Sequence, residues 1–271
     1  MIIIAEIGWN HMGDIALAEE MVMKASSSGA NMVKFQYWDP QFLKPGVWDT
    51  DGRREIYNKA VLTKEKIIKL MEISEKYNQE FLISVFGTKG AIFMKELEIK
   101  SIKIPSHETT NLKLIKYCAD NFEYIYFSAG ASTSNEILTA VNILKAGKAD
   151  FCLMHCISSY PCGDDRINLP RLNWLKELHT DIGLSDHTSS SVIPAISVGL
   201  GVSVIEKHFT SDHNLPGRDN KFALEPDEFK MMTDNILTAS LSMIDHGREY
   251  QDIESDTVNN YRGRWEPHDY D

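Results

Sequence analysis

Two lysines and two histidines fall where this sequence should not tolerate charge without a purpose. Lys34 and Lys103 each interrupt a short apolar, β-branched run, and His187 and His208 each close one. Lysine is seldom buried without a partner, so both lysines require an internal acid or an anionic ligand. With the hydroxyls of Ser84, Ser106, Ser128 and Ser185 they would make a cradle for a phosphate or carboxylate. The competing reading pairs each lysine with a neighbouring acid, Glu6 being the obvious one. Two imidazoles at neighbouring strand ends can converge on one divalent metal and leave positions open for water and substrate. The competing reading there is a pair of hydrogen-bonded structural histidines. Asp186 and Glu206 are expected to orient the two rings.

The elements that must position these groups alternate along nearly the whole chain. Strand-like runs are predicted at 2–8, 31–36, 80–86, 101–106, 124–130, 151–158, 181–187 and 202–210, most of them continuously apolar, as parallel strands covered on both faces are. Helical spacing separates them: Leu17, Met21 and Ala25; Ile67, Leu70, Met71 and Ser74; Ile137, Val141 and Leu144. Pro226 beside Glu225 and Asp227 reads as a further helix start. Eight such alternations predict a single-domain α/β fold, the (β/α)8 TIM barrel, over 1–247, with a polar C-terminal tail over 248–271; an open doubly wound sheet is the alternative. The connection 37–62 is expected to form a wall or lid. In a barrel the active site lies at the carboxyl ends of the strands, and every predicted strand delivers a polar group to that end. His155 is expected to be packed inside the barrel rather than to bind a ligand. Ala5-Glu6-Ile7 lacks the His-x-His of an amidohydrolase metal site.

Composition narrows the function classes. Twenty-eight lysines and arginines against 39 aspartates and glutamates give a formal charge of −11, which argues against a nucleic acid or an anionic membrane as the main partner. The start, Met1-Ile-Ile-Ile-Ala-Glu6, lacks a basic leader, and the apolar window 192–205 is too short to cross a bilayer. A cytoplasmic location is expected, with Cys118, Cys152, Cys156 and Cys162 as reduced, largely buried thiols.

Six ordered motifs resemble the sialic acid synthase (NeuB) family: Ala5-Glu6-Ile7-Gly8 with Asn10-His11-x-Gly13; Val33-Lys34-Phe35-Gln36; Lys103-Ile104-Pro105-Ser106-His107-Glu108; His155-Cys156 with Tyr160-Pro161; Leu184-Ser185-Asp186-His187-Thr188; and Glu206-Lys207-His208-Phe209-Thr210. The resemblance implies a barrel enzyme that condenses phosphoenolpyruvate with an N-acetylated amino-sugar aldehyde, giving a nonulosonic acid and phosphate. It implies a divalent metal, Mn2+ or Mg2+, on His187 and His208. It puts Lys34, Ser84, Lys103, Ser106, Ser128 and Ser185 on phosphoenolpyruvate, and Gln36, Glu108, Tyr160 and Asp219 on the sugar. Glu6 matches a catalytic carboxylate. Ser158 stands where the family commonly has Asn, and it cannot make the same two-ended amide contacts.

Other departures concern the acceptor side. The family's strand-four Gly-Ser-x-Glu reads Pro105-Ser106-His107-Glu108, and its Gly-Pro-Asp reads Gly217-Arg218-Asp219. Family members usually carry a C-terminal antifreeze-like domain that supplies an arginine to the partner's site. The chain is expected to lack it, so Arg218, Arg262 or Arg264, or a partner chain, would supply that guanidinium; otherwise a homodimer is expected. The alternatives are a different aldose acceptor, a truncated non-catalytic paralogue acting as a partner or binding protein, and a Schiff-base aldolase using Lys103.

Overall fold

A computed structural model describes residues 1–265. Eight strands, β1 (Ile2–Gly8), β2 (Met32–Tyr37), β3 (Glu80–Val85), β4 (Ser101–Ile104), β5 (Tyr124–Ser128), β6 (Asp150–Cys156), β7 (Ile182–Asp186) and β8 (Val204–His208), pair in chain order. All pairings are parallel, and β8 returns to β1 through Ile2↔Val204 to Glu6↔His208, so the sheet closes into a barrel. The predicted strands are all present; most run one or two residues shorter at their carboxyl ends, where the chain turns to carry side chains over the mouth.

Helices α1 (Ile15–Ser27), α2 (Arg53–Ala60), α3 (Lys64–Lys76), α4 (Thr88–Glu96), α5 (Leu112–Asn121), α6 (Ser134–Ala146), α7 (Arg171–Leu178), α8 (Ile193–Val198), α9 (Pro226–Ser242) and α10 (Ser255–Asn260) complete the fold. Their starts are fixed locally. Asp14 accepts from the Ala16 and Leu17 amides, and Thr133 and Glu136 form a reciprocal capping box, each satisfying donors that a helix N-terminus otherwise leaves unpaired. Pro226 opens α9 as its sequence predicts. The connection 37–62 holds two 3-10 turns and α2.

Period-two alternation sorts each strand into two faces. Ile3, Ala5 and Ile7, or Phe151 and Leu153, pack outward against the helices. Ile4, Met32, Leu82, Tyr126, Cys152, Met154 and Val204 fill the barrel interior as an apolar plug. One step toward the carboxyl ends, the same inward parity presents Glu6, Lys34, Ser84, Ser128, Cys156, Ser185, Glu206 and His208. The plug is therefore the floor of a polar layer. His155 has the outward parity. It is fully buried between sheet and helices, and its Nε2 donates to the Ile167 carbonyl at 2.6 Å. The expectation that it lies inside the barrel is corrected by that parity. No helix among the described residues is long and apolar enough to cross a membrane.

Candidate active site

The polar layer is a buried ionic network of two ammonium and two carboxyl groups. Lys34 Nζ lies 2.9 Å from Glu6 Oε2 and 3.6 Å from Glu206 Oε1; Lys103 Nζ lies 2.9 Å from Glu206 Oε2. Lys34 also donates to Ser84 Oγ at 2.9 Å, and Ser185 Oγ donates to Glu206 Oε1 at 3.0 Å. Gln36 Nε2 donates to Glu6 Oε1. Strand pairing explains the convergence: Glu6 is in register with Lys34, Ser84 with Lys103, and Ser185 with Glu206. Both lysines thus have internal acids as well as serine hydroxyls around them, and the two readings made from the sequence describe one network. Glu206, expected to orient an imidazole, is instead the counter-ion shared by both lysines. Asp186 is corrected in the same way. It has outward parity, accepts from Lys207 Nζ and Thr188 Oγ1, and anchors the loop after β7.

Burial sets the electrostatics. It opposes charge on Glu206, but Lys103 and Lys34 outweigh it and hold this carboxyl down at about 2. For Glu6 burial dominates; Lys34 offsets it in part while the Glu206 charge adds to it, so its pKa is raised. Burial opposes the Lys34 charge too, yet Glu206 and Glu6 raise its pKa overall, whereas burial prevails at Lys103 and lowers it. The network therefore pushes the pKa values of its two carboxyls apart, Glu206 down and Glu6 up.

The histidines stand together beside this layer, with ring centroids 5.3 Å apart. Tyr160 packs 4.2 Å from the His187 ring and 5.9 Å from His208, and Phe222 lies 5.1 Å from His208. His187 Nδ1 donates to the Ile157 carbonyl at 2.7 Å, which leaves Nε2 for another partner. Burial keeps His208 neutral, its pKa well below the usual imidazole value. Its Nδ1 is buried without a hydrogen-bond partner and lies 3.8 Å from Asp219 Oδ2. Burial, only partly offset by the Trp9 indole, raises the Asp219 pKa. Ser128 Oγ is also buried in the layer without a hydrogen-bond partner, and Glu6 Oε2 is engaged only by its ion pair with Lys34 at 2.9 Å.

The remaining predicted residues ring the same mouth. Ser106 lies just past β4, and its Oγ accepts from the Gly130 amide at 3.0 Å. A Cβ on Gly130 would come within 2.7 Å of both Ser106 Oγ and Ser158 Oγ, so only glycine lets these hydroxyls approach the β5 loop. Ser158 and Tyr160 are exposed, Tyr160 by 52%. Glu108 is partly buried and accepts from Asn111 Nδ2 at 2.6 Å. Of the arginines offered for a missing guanidinium, Arg218 adjoins Asp219, whereas Arg264 packs over Tyr261 and Trp265 within the tail. Among the described residues no group of three or more His, Cys, Asp or Glu gathers as a metal site.

Sequence reasoning took Cys156 only for a buried thiol and did not single out Trp9. Cys156 Sγ lies 3.7 Å from His187 Nδ1; burial raises its pKa, but His187 outweighs that and brings the thiol to about 7, and the thiolate in turn raises the His187 pKa against burial. The inward parity of β6 could have found it. Trp9 Nε1 donates to Asp219 Oδ2 at 2.6 Å across 210 residues of chain, and no local signal announces that bond.

Known proteins resemble the chain over this whole arrangement. A model of the NeuB family matches residues 21–248. The N,N'-diacetyllegionaminic acid synthase of Campylobacter jejuni is 35% identical over 274 residues, covering 95% of this chain and 82% of the relative. Its Legionella pneumophila counterpart is 33% identical over 254 residues, covering 88% of this chain and 71% of the relative. The structure of the N-acetylneuraminic acid (sialic acid) synthetase of Leptospira borgpetersenii superposes with a TM-score of 0.86 at 32% identity, covering 97% of this chain and 92% of that one.

Proposed function

The chain belongs to the NeuB family, and from that premise we propose that it condenses phosphoenolpyruvate with an N-acetylated amino-sugar aldehyde to give a nonulosonic acid and phosphate. The observation that carries this reading is the buried polar layer, in which Ser128 Oγ and His208 Nδ1 have no hydrogen-bond partner. A buried polar atom left unpaired costs about 1–3 kcal/mol, and a ligand that pairs it recovers that cost.

Phosphoenolpyruvate is a small polyanion. Lys34 and Lys103, backed by Ser84, Ser106, Ser128 and Ser185, would hold its phosphate and carboxylate and fix its plane, so that its nucleophilic carbon stands at near-attack distance from the aldehyde. The two ammonium groups on either side of Glu206 suit an anion. The raised pKa of Glu6 makes it the group that holds and moves a proton between the adding water and the substrate.

His187 and His208 fit a divalent ion, Mn2+ or Mg2+. Their rings are neighbours, the Ile157 carbonyl fixes one of them, and the other has an orphaned, buried nitrogen. Bound there, such an ion would polarise the aldehyde oxygen as a Lewis acid. The chain's own residues do the rest: Asp219, Gln36, Glu108, Ser158 and Tyr160 would orient the sugar over the lysine cradle. The two legionaminic acid synthases, whose product carries two acetyl groups by name, favour an acceptor with two acetamido groups. A screen of 2-acetamido and 2,4-diacetamido hexoses, with the product acid identified by mass, tests this. One diacetamido acceptor should outrun N-acetylmannosamine; turnover of simple aldoses instead would overturn the acceptor assignment.

A further inference from the structure

Trp9 follows β1 directly and makes two kinds of contact at once. Its Nε1 donates to Asp219 Oδ2 at 2.6 Å, and among the described residues it is the only side chain that donates to this carboxylate. Its ring stacks on Tyr57 with centroids 5.3 Å apart and 21° between planes, and it meets Trp38 edge-on at 5.7 Å and 83°. Trp38 in turn donates its Nε1 to the Tyr57 carbonyl at 3.0 Å and meets the Tyr57 ring at 5.6 Å. The connection 37–62 is therefore closed on itself and on Trp9 by three rings. The oxygen that Trp9 holds is also the one 3.8 Å from His208 Nδ1.

We propose that Trp9 is a positioning residue for the acceptor half of the site: it locks Asp219 beside His208 and joins that carboxylate to the aromatic connection 37–62 in one rigid unit. The proposal rests on the synthase reading for its kinetic consequence, but not for its geometry. Asp219 sits on the long loop after β8, two residues past Gly217, whose φ is +126°. A carboxylate on such a loop needs an external donor to hold one rotamer. The indole N–H supplies it, and the flanking rings prevent the indole from turning away. Phosphoenolpyruvate, seated on Lys34 and Lys103 deeper in the barrel, does not depend on this contact.

The test uses the full chain, loaded with manganese for the kinetic arm. Trp9→Phe keeps a ring in the stack and removes only the donor. The acceptor KM should rise about tenfold, the loss of one charge-assisted hydrogen bond, while the phosphoenolpyruvate KM stays unchanged. In an Asp219→Ala background, where the acceptor is gone, the same substitution should add little. A Trp9→Phe protein with unchanged acceptor KM, or with both KM values raised equally, would overturn the proposal. An arm independent of turnover reads the indole N–H resonances of the five tryptophans. The signal lost in Trp9→Phe should move upfield in Asp219→Ala, which removes the acceptor, and a signal that stays in place would refute the hydrogen bond itself. If the wild-type chain turns over no amino sugar, the synthase reading fails while the indole arm still decides whether Trp9 holds Asp219.

Discussion

Glu206 stands between the two lysines of the barrel, with Oε1 3.6 Å from Lys34 Nζ and Oε2 2.9 Å from Lys103 Nζ. One carboxylate on β8 thus balances two ammonium groups brought in from β2 and β4. Charges this deep are tolerated only when paired, so Glu206 belongs both to the fold and to the proposed anion cradle.

Removing that charge should therefore be costly. Glu206→Gln leaves Lys103 without its acid and Lys34 with Glu6 alone. Denaturant unfolding should show a loss of about 3–5 kcal/mol, the range for breaking one side of a buried pair. A loss below 1 kcal/mol would mean that the pairs are wet or weak.

The same carboxylate sets an acid limb of stability. Its folded pKa is about 2, below the ordinary value of 4.5, so between these values the unfolded chain binds more protons than the folded one. Stability from this group is full above pH 4.5 and is lost as pH falls toward 2. The Tm of the wild-type chain should drop through that window, and Glu206→Gln should show a shallower drop from a lower starting point. Parallel profiles would remove Glu206 as their cause.

The lysine cradle predicts a split in substrate dependence. Lys34→Met should raise the phosphoenolpyruvate KM by at least tenfold, since one charge-assisted contact to an anion is lost, and should change the acceptor KM far less. Equal effects on both substrates would contradict a role confined to the anion.

The histidine pair predicts metal affinity without reference to turnover. His208→Ala removes a buried ring whose Nδ1 has no partner, so the fold should survive. Calorimetric titration with manganese should show binding to the wild-type chain and none to the variant. Wild-type-like binding to His208→Ala would take the metal off this pair.

The barrel itself was legible because parallel strands buried on both faces read as apolar, β-branched runs, and because helical spacing separates them. The inward direction of Lys34 and Lys103 was legible too, since each interrupts an apolar strand whose alternation can aim it into the barrel. The misplaced residues failed on that same rule. Asp186 differs in parity from Ser185 and His187, and His155 from Cys156, so neither points where proximity in sequence suggests. Glu206 has the right parity, but its partners come from strands that only barrel closure brings near. Trp9 was not legible, because its donor role depends on Asp219, 210 residues away.

The central claim, phosphoenolpyruvate condensation by a NeuB-family barrel, is tested most directly by phosphate release. The chain would be incubated with phosphoenolpyruvate, manganese and either N-acetylmannosamine or a 2,4-diacetamido hexose, with EDTA as the control. The account predicts release that requires both the sugar and the metal and that Lys34→Met abolishes at low phosphoenolpyruvate. No release with any amino sugar from folded, manganese-loaded protein would contradict it.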